Sequence, residues 1–555
     1  MHPNIGSGDS AFLAVEVGTA IIVLLAALAL PGFGKRFFTP IEEWIRSLAR
    51  KPILAIFLVG LSAPLIRLSL LPVAPIPEPE RHDEFSHLLA GETFASGRLT
   101  NPTHPMWMHF ETFHEEHQPT YMSMYPPAQG LILAAGRVLF GHPWFGVCLS
   151  VGVMCAAICW MLQAWLPPEW ALLGGILAVL RIGIFSYWMN SYWGGAPAAI
   201  GGALILGALP RIMRRPRGRS ALVLGLGLAI LANSRPFEGM LLSLPVMGAL
   251  FAWSVGKTRP PTRILLVRIV TPLSVVLLIT AAGMSYYNWR VFGSPTTLPY
   301  QVNRATYAVS PVFIWQRPRP EPPYRHTVMR DFYISWELPV YEKARTLRGF
   351  FEGVATKVGM ALQFFFGAVL LIPFLMLPRV FRDRRVRFLI WTGAIFFLGL
   401  LANAFSVPHY FAPATCVLYA ILLMAFRYLW AWRPGGQPVG RSLAQAIPLS
   451  SVLLCVIHLA WIPVTSDLGL QRARIQQELE NYPGPQLAIV RYAPEHNPLS
   501  VEWVYNAADI DAAKVVWARE MASVQNRELI RYFNNRKVWL VEPDSARVKV
   551  SPYVP

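Results

Sequence analysis

Apolar runs of roughly 15 to 24 residues recur from one end of the chain to the other, and a helix needs about 20 such residues to cross a bilayer core. A surface helix of a soluble protein is apolar along one stripe only. Runs apolar all round, repeated this often, predict a polytopic membrane bundle. Composition agrees: 54% of the 555 residues are hydrophobic and 14% are charged, against about 25% charged in soluble domains. A soluble enzyme, a disordered regulator and a fibrous protein are excluded. The net charge of +18 belongs to short basic loops that set membrane orientation. The basic runs carry no interleaved aromatic readers, so nucleic acid is not a partner. All five cysteines, Cys148, Cys155, Cys159, Cys416 and Cys455, lie in apolar runs, with no disulfide framework and no CxxC pair.

The basic clusters orient the chain. The first apolar run, about Ala11 to Leu30, has no basic residue before it and reads as a retained helix rather than a signal peptide. Residues 1–51 then form a helix followed by a basic cytoplasmic segment. Further clusters at 211–219, 257–263, 379–387 and 427–441 mark the same side. The alternation puts five segments on the opposite, external face: loop 72–124, segment 233–239, loop 288–349, segment 406–410 and the tail after Val464. The stretch 125–210 does not divide cleanly, so the expected number of crossings is about 12 to 14 for runs of spanning length. The fold class expected is an all-α membrane bundle over 52–465 with a small external α/β domain over 466–555. In that domain Gln486 to Tyr492 and Lys537 to Glu542 read as buried strands. Ala508 to Ala522 and Arg527 to Asn535 read as helices.

Chemistry-bearing residues gather in the external segments. Loop 72–124 opens with His82-Asp83-Glu84, two carboxylates in the first turn of a helix, where its dipole favours them. A solvated helix cap is the bland alternative. The loop also holds half of the twelve histidines, His82, His87, His104, His109, His114 and His117. Mixed His and carboxylate sets suit zinc or manganese, so His82, His87, His114 and His117 are candidate ligands for a divalent cation. A polar external loop is the other reading. The loop ends at Tyr125-Pro126-Pro127. Arg235 and Glu238 interrupt two apolar runs, where charge is costly unless paired or facing a polar cavity. They read either as a helix-pinning ion pair or as a phosphate clamp, since a guanidinium matches phosphate oxygens. His409-Tyr410 reads as an interfacial aromatic belt or as a polar pocket wall. Ser186 to Gly195 (SYWMNSYWGG) reads as interfacial anchors, with stacking on sugar faces as the other reading. Arg137, Arg181 and Lys357 read as snorkelling ends.

Together these residues resemble the GT-C superfamily of membrane glycosyltransferases, in the branch of protein mannosyltransferases and aminoarabinose transferases. The likeness covers roughly residues 50–430. Asp83-Glu84 matches the family's Asp-Glu pair in the first outer loop, and Tyr125-Pro126-Pro127-Ala128 matches its x-Pro-Pro-Leu in part. His409-Tyr410-Phe411-Ala412-Pro413 stands where Arg-Tyr-x-x-Pro is frequent. The resemblance implies a sugar donor on a polyprenyl phosphate and a lipid, glycan or protein acceptor. It implies transfer to an acceptor hydroxyl on the external, periplasmic face of a bacterial inner membrane, with inversion. It implies Asp83 as general base and Glu84 as acceptor positioner or alternate base. Where the family places His or Lys and Arg near the donor phosphate, this chain has Tyr125 and His409. Positive charge must come from elsewhere, with Arg235 first and Arg304 second. A transporter or lipid flippase is the main rival, but polar residues gather at one face and no internal repeat is visible. A non-catalytic scaffold would leave Asp83 and Arg235 without a purpose.

Overall fold

Residues 7–32, 34–461, 467–499, 502–545 and 547–554 are described in a computed structural model of the chain. Within the bilayer every backbone polar group must be satisfied internally, which selects helices. Among the described residues eight helices are long and apolar enough to cross a membrane. They include α1 (Ser7–Ala29), α3 (Pro52–Ser69), α6 (Trp144–Trp165), Ala196–Arg214 and Pro236–Val255. Helices Leu347–Phe365 and Val369–Arg382, bent by 111° at their junction, are a broken span or a re-entrant pair. Shorter apolar helices are α5 (Pro127–Phe140), Gly218–Ala232 and Arg387–Leu400. Only with all of these counted as crossings does the bundle reach the lower edge of the 12 to 14 expected. The chain is an integral membrane protein. Between α1 and α3 lies the strongly amphipathic α2 (Lys35–Ala49).

The centre of the bundle is α6 and Ala196–Arg214, both largely buried. Small residues let backbones approach. Gly202 lies so close to the Pro413 carbonyl that a Cβ has no room, which seats the segment carrying His409 against this helix. A buried carboxylate and a half-buried arginine pair within the bundle. Glu16 pairs with Arg181, which donates from Nε to the Phe364 carbonyl at 3.1 Å, while Glu16 accepts from the Ala368 backbone at 3.3 Å. Arg181 is therefore not a snorkelling end. It satisfies backbone groups freed where the bent span breaks, and Glu16 balances its charge.

The expected external segments meet at one face. After α3 the chain enters α4 (His82–Ala95), packed along α5, followed by a small sheet of β1 (Asn101–Pro102), β3 (Thr120–Ser123) and β2 (Glu115–Glu116), in that order. Tyr307 of loop 288–349 donates to Glu111 at 2.8 Å, and His326 contacts the Met108 carbonyl at 2.7 Å. Behind residue 482 lies a four-stranded sheet in the order β5 (Val515–Arg519), β4 (Gln486–Val490), β6 (Lys537–Glu542), β7 (Lys549–Pro552). β4 pairs in parallel with β5 and β6, while β7 is antiparallel. The expected strands are present. The helix expected over Ala508 to Ala522 is instead a loop and strand β5, because VVWAR is buried at every residue; parallel strands covered on both faces read as unbroken apolar runs. The other expected helix lies slightly earlier, at Ser523–Tyr532. The junction 462–466, where the expected domain boundary falls, lies outside the described residues.

This α/β region is fused to the first loop. Leu89, Phe110 and Tyr121 share a core with Leu487, Ile489 and Val516. Phe85 stacks on Tyr505 at 4.2 Å, and Arg472 covers Phe85. Arg519 donates to Glu502 at 2.6 Å in a fully buried pair and to the Glu111 carbonyl at 2.7 Å. Removing one member of a buried pair leaves the other uncompensated, at about 3–5 kcal/mol. Arg519→Met is expected to lower the melting temperature of the detergent-solubilised protein by this mechanism. Arg491→Met, which breaks the exposed pair with Glu520, is expected to shift it little.

Candidate active site

The outer loops and the bundle enclose a cavity of about 2540 Å³, larger than the roughly 300–1,000 Å³ of an ordinary small-molecule site. Asp83, Glu84, His87, His114, Tyr125, Arg235, Glu238, Arg304, His409 and Tyr410 all line it. The part of it lined by bundle helices, an arm walled by Phe12, Leu180, Phe185, Val369, Leu370 and Leu454, is mostly apolar and also holds the Glu16–Arg181 pair.

Asp83 and Glu84 sit in the first turn of α4 but differ in state. Glu84 closes the helix start as a capping box does. One carboxylate oxygen accepts from the Glu80 and Arg81 backbone, each at 3.1 Å, and the other accepts from the Tyr192 backbone at 3.0 Å. Burial pushes it up to about 7, against these three hydrogen bonds. Both oxygens are occupied by main chain, so Glu84 positions backbone and has none left for a substrate proton. Asp83 instead faces the cavity. The Tyr125 hydroxyl donates to its Oδ1, and His114 Nδ1 lies 3.8 Å away. Burial alone would raise the Asp83 carboxyl; His114, the Tyr125 hydroxyl, His82 and His87 outweigh it and hold it below its usual value. Oδ2 makes no hydrogen bond among the described residues.

The supports of Asp83 are themselves fixed. His87 stacks on Tyr125 at 4.5 Å. His114 has φ 61°, a left-handed conformation that costs a non-glycine residue about 1–3 kcal/mol. Its carbonyl accepts from the Ser86 hydroxyl at 2.6 Å and the Met124 backbone at 3.1 Å. Burial depresses His87 to about 3 and also lowers His114, with the Asp83 carboxylate acting against it on both rings.

Arg235 is the N-cap of helix Pro236–Val255. Its guanidinium lies 4.5 Å from the centre of the Tyr410 ring, and no side chain among the described residues forms an ion pair or hydrogen bond with it. The expected pinning pair with Glu238 is absent there. Arg304, by contrast, holds Glu337 through two nitrogens at 2.6 and 2.7 Å and also donates to Ser310. Its fork is filled, which leaves Arg235 rather than Arg304 as the cation open to a ligand. Lys357 is buried and donates to the Asn403 carbonyl at 2.7 Å; it lines the cavity rather than snorkelling. His409 and Tyr410 lie on the turn Pro408–Ala414.

The cation expectation finds no ligand set. Among the described residues no three His, Cys, Asp or Glu side chains come together to hold a metal. His82 spends both ring nitrogens on Tyr505 and Pro498, at 3.0 and 2.8 Å. His117 stacks on Tyr121, away from His87 and His114. The sequence reading missed Tyr187, Trp193 and the Tyr192 backbone. They lie in SYWMNSYWGG, whose aromatic content alone resembles an interfacial belt.

No protein-family model and no curated protein sequence matches the chain. Among solved structures it is similar to ArnT, an aminoarabinose transferase, from Cupriavidus metallidurans in the apo state, at 13% identity and a TM-score of 0.47 over 91% of this chain and 93% of that one. The same enzyme bound to undecaprenyl phosphate gives 11% and 0.45 over 90% and 93%. The Archaeoglobus fulgidus oligosaccharyltransferase tethered with an acceptor peptide gives 13% and 0.46 over 91% and 69%. These neighbours are of the kind the sequence motifs resemble, but at such values the likeness carries no weight for what this chain does.

Glu84→Gln leaves the Tyr192 N–H facing an amide group in a buried site, at about 1–3 kcal/mol. The raised Glu84 value also has a sign. The folded state holds this proton more tightly, so the stability it contributes is present at low pH and lost as pH rises from the ordinary carboxylate range through about 7. Melting curves between pH 5 and 8 are expected to show that decline in the parent protein and a flatter profile in Glu84→Gln.

Proposed function

We propose that the protein transfers a sugar from a polyprenyl-phosphate-linked donor to an acceptor hydroxyl, in the cavity on the external face of a bacterial inner membrane. The observation that carries this reading is the meeting, in one cavity, of an ionised carboxylate, a guanidinium without an ion-pair partner among the described residues, and a mostly apolar arm between bundle helices. An anionic lipid with a long apolar tail and a polar sugar has that distribution of chemistry. The tail lies in the arm, the phosphate at Arg235, and the sugar toward Asp83.

A hydroxyl is a poor nucleophile, and a positioned carboxylate that takes its proton contributes about 10²–10⁴-fold. Asp83 Oδ2 accepts that proton as the acceptor oxygen bonds to the anomeric carbon. The bond from that carbon to the phosphate oxygen breaks on the opposite side, and the electron pair leaves with the polyprenyl phosphate. One displacement inverts the centre and needs no second carboxylate as nucleophile. The oxocarbenium-like transition state gains from the nearby negative charge. Arg235, with His409 and Tyr410, stabilises the leaving phosphate; such a donor is worth about 3–4 kcal/mol in a dry site. Tyr125, through its hydroxyl, orients Asp83 and helps keep it ionised.

The test is sugar transfer by the purified protein in lipid nanodiscs, from a polyprenyl-phosphate sugar mixture extracted from bacterial membranes. Asp83→Asn is expected to reduce transfer by about 10²–10⁴-fold with an unchanged melting temperature; transfer at the parent rate removes Asp83 as base. Because Asp83 is held below its usual value, transfer is expected to stay level with respect to this group from pH 8 down to pH 5. A loss centred near pH 7 would assign the proton transfer to another group.

A further inference from the structure

Tyr187 and His409 are joined by two hydrogen bonds that cannot exchange roles. The His409 main-chain N–H donates to the Tyr187 phenolic oxygen at 3.0 Å, and the same phenol lies 2.9 Å from His409 Nδ1. The phenol has a single proton. Among the described residues that proton has no acceptor other than Nδ1, so it goes there while the oxygen accepts from the main chain. A neutral imidazole that accepts at Nδ1 carries its hydrogen on Nε2. That nitrogen makes no hydrogen bond among the described residues, and the ring lines the cavity beside Tyr410 and Trp193, whose ring centres lie 5.3 and 4.8 Å away. Arg235, stacked on the neighbouring Tyr410, disfavours a second positive charge on this imidazole.

We infer that Tyr187 is a positioning residue: it locks His409 in the Nε2–H tautomer, so that the ring presents a hydrogen-bond donor to the phosphate of an anionic lipid, alongside the Arg235 guanidinium. The opposite tautomer would turn a lone pair toward the phosphate and repel it. The device supplies the phosphate with a neutral donor of fixed direction in place of a second cation. It rests on the donor-phosphate reading of the cavity proposed above. Tyr187 touches no substrate in this scheme and acts through His409.

A double-mutant cycle on binding of undecaprenyl phosphate, a probe without a sugar, tests this in nanodiscs. Tyr187→Phe in the parent protein is expected to weaken binding about tenfold, the upper range for one hydrogen bond. In a His409→Gln background, whose amide donates without a tautomer to set, the same change is expected to matter less than about twofold. Equal losses in both backgrounds would make Tyr187 a general structural support and overturn the inference. So would parent-like binding by Tyr187→Phe. Melting temperatures of all four proteins identify any loss that is simply unfolding. Failure of the parent protein to bind the probe at all would instead remove the donor reading on which the inference stands.

Discussion

An ionised carboxylate at the mouth of an apolar bundle is costly, because burial favours the neutral acid. The loop-bearing face of the bundle is organised around holding Asp83 in the charged state. The phenol of Tyr125 donates to it, His114 and His87 surround it, and His114 is held in a left-handed conformation by two hydrogen bonds to its carbonyl. Each of these supports comes from a different stretch of the first loop. The α/β region then clamps that loop from outside, through the Phe85–Tyr505 stack and Arg519. The tail thus has a physical purpose in keeping the carboxylate's surroundings rigid.

The other buried charges show by contrast what is unusual at the site. Glu16 pairs with Arg181, Glu337 with Arg304, and Glu502 with Arg519. Each pair balances charge and also satisfies backbone or hydroxyl groups nearby. Arg235 has no such partner and stacks on a phenol instead. Arg235 has no ion-pair partner among the described residues, although Glu238 and Asp83 act on its charge. In the proposed reaction the donor phosphate meets it from the cavity.

Much of this was legible in the sequence, and for identifiable reasons. Apolar runs of spanning length and the spacing of basic clusters reveal the bundle and the shared face of the loops, since both follow from bilayer thickness and orientation. Asp83, Arg235, His409 and Tyr125 stood out because polar residues at a helix boundary in an apolar chain need an explanation. What was illegible depended on partners distant in the chain. Nothing local distinguishes Arg235 from Arg304, and only the fold brings Glu337 to one and not to the other. Glu84 looks equivalent to Asp83 until the Tyr192 backbone, more than a hundred residues later, takes its second oxygen. Tyr187 was hidden among aromatic residues of an ordinary interfacial kind. The β5 strand was misread because a short apolar run carries no period that separates strand from helix.

The central claim is that Arg235 and His409 receive the phosphate of an anionic lipid whose sugar would face Asp83. An experimental structure of the protein in nanodiscs with undecaprenyl phosphate bound tests it most directly. Phosphate oxygens are expected within about 3 Å of the Arg235 guanidinium and of His409 Nε2, a hydrogen-bonding separation, with the tail in the arm beside Phe185 and Leu454. A phosphate seated outside this cavity, or held there by other cations with Arg235 turned away, would contradict it.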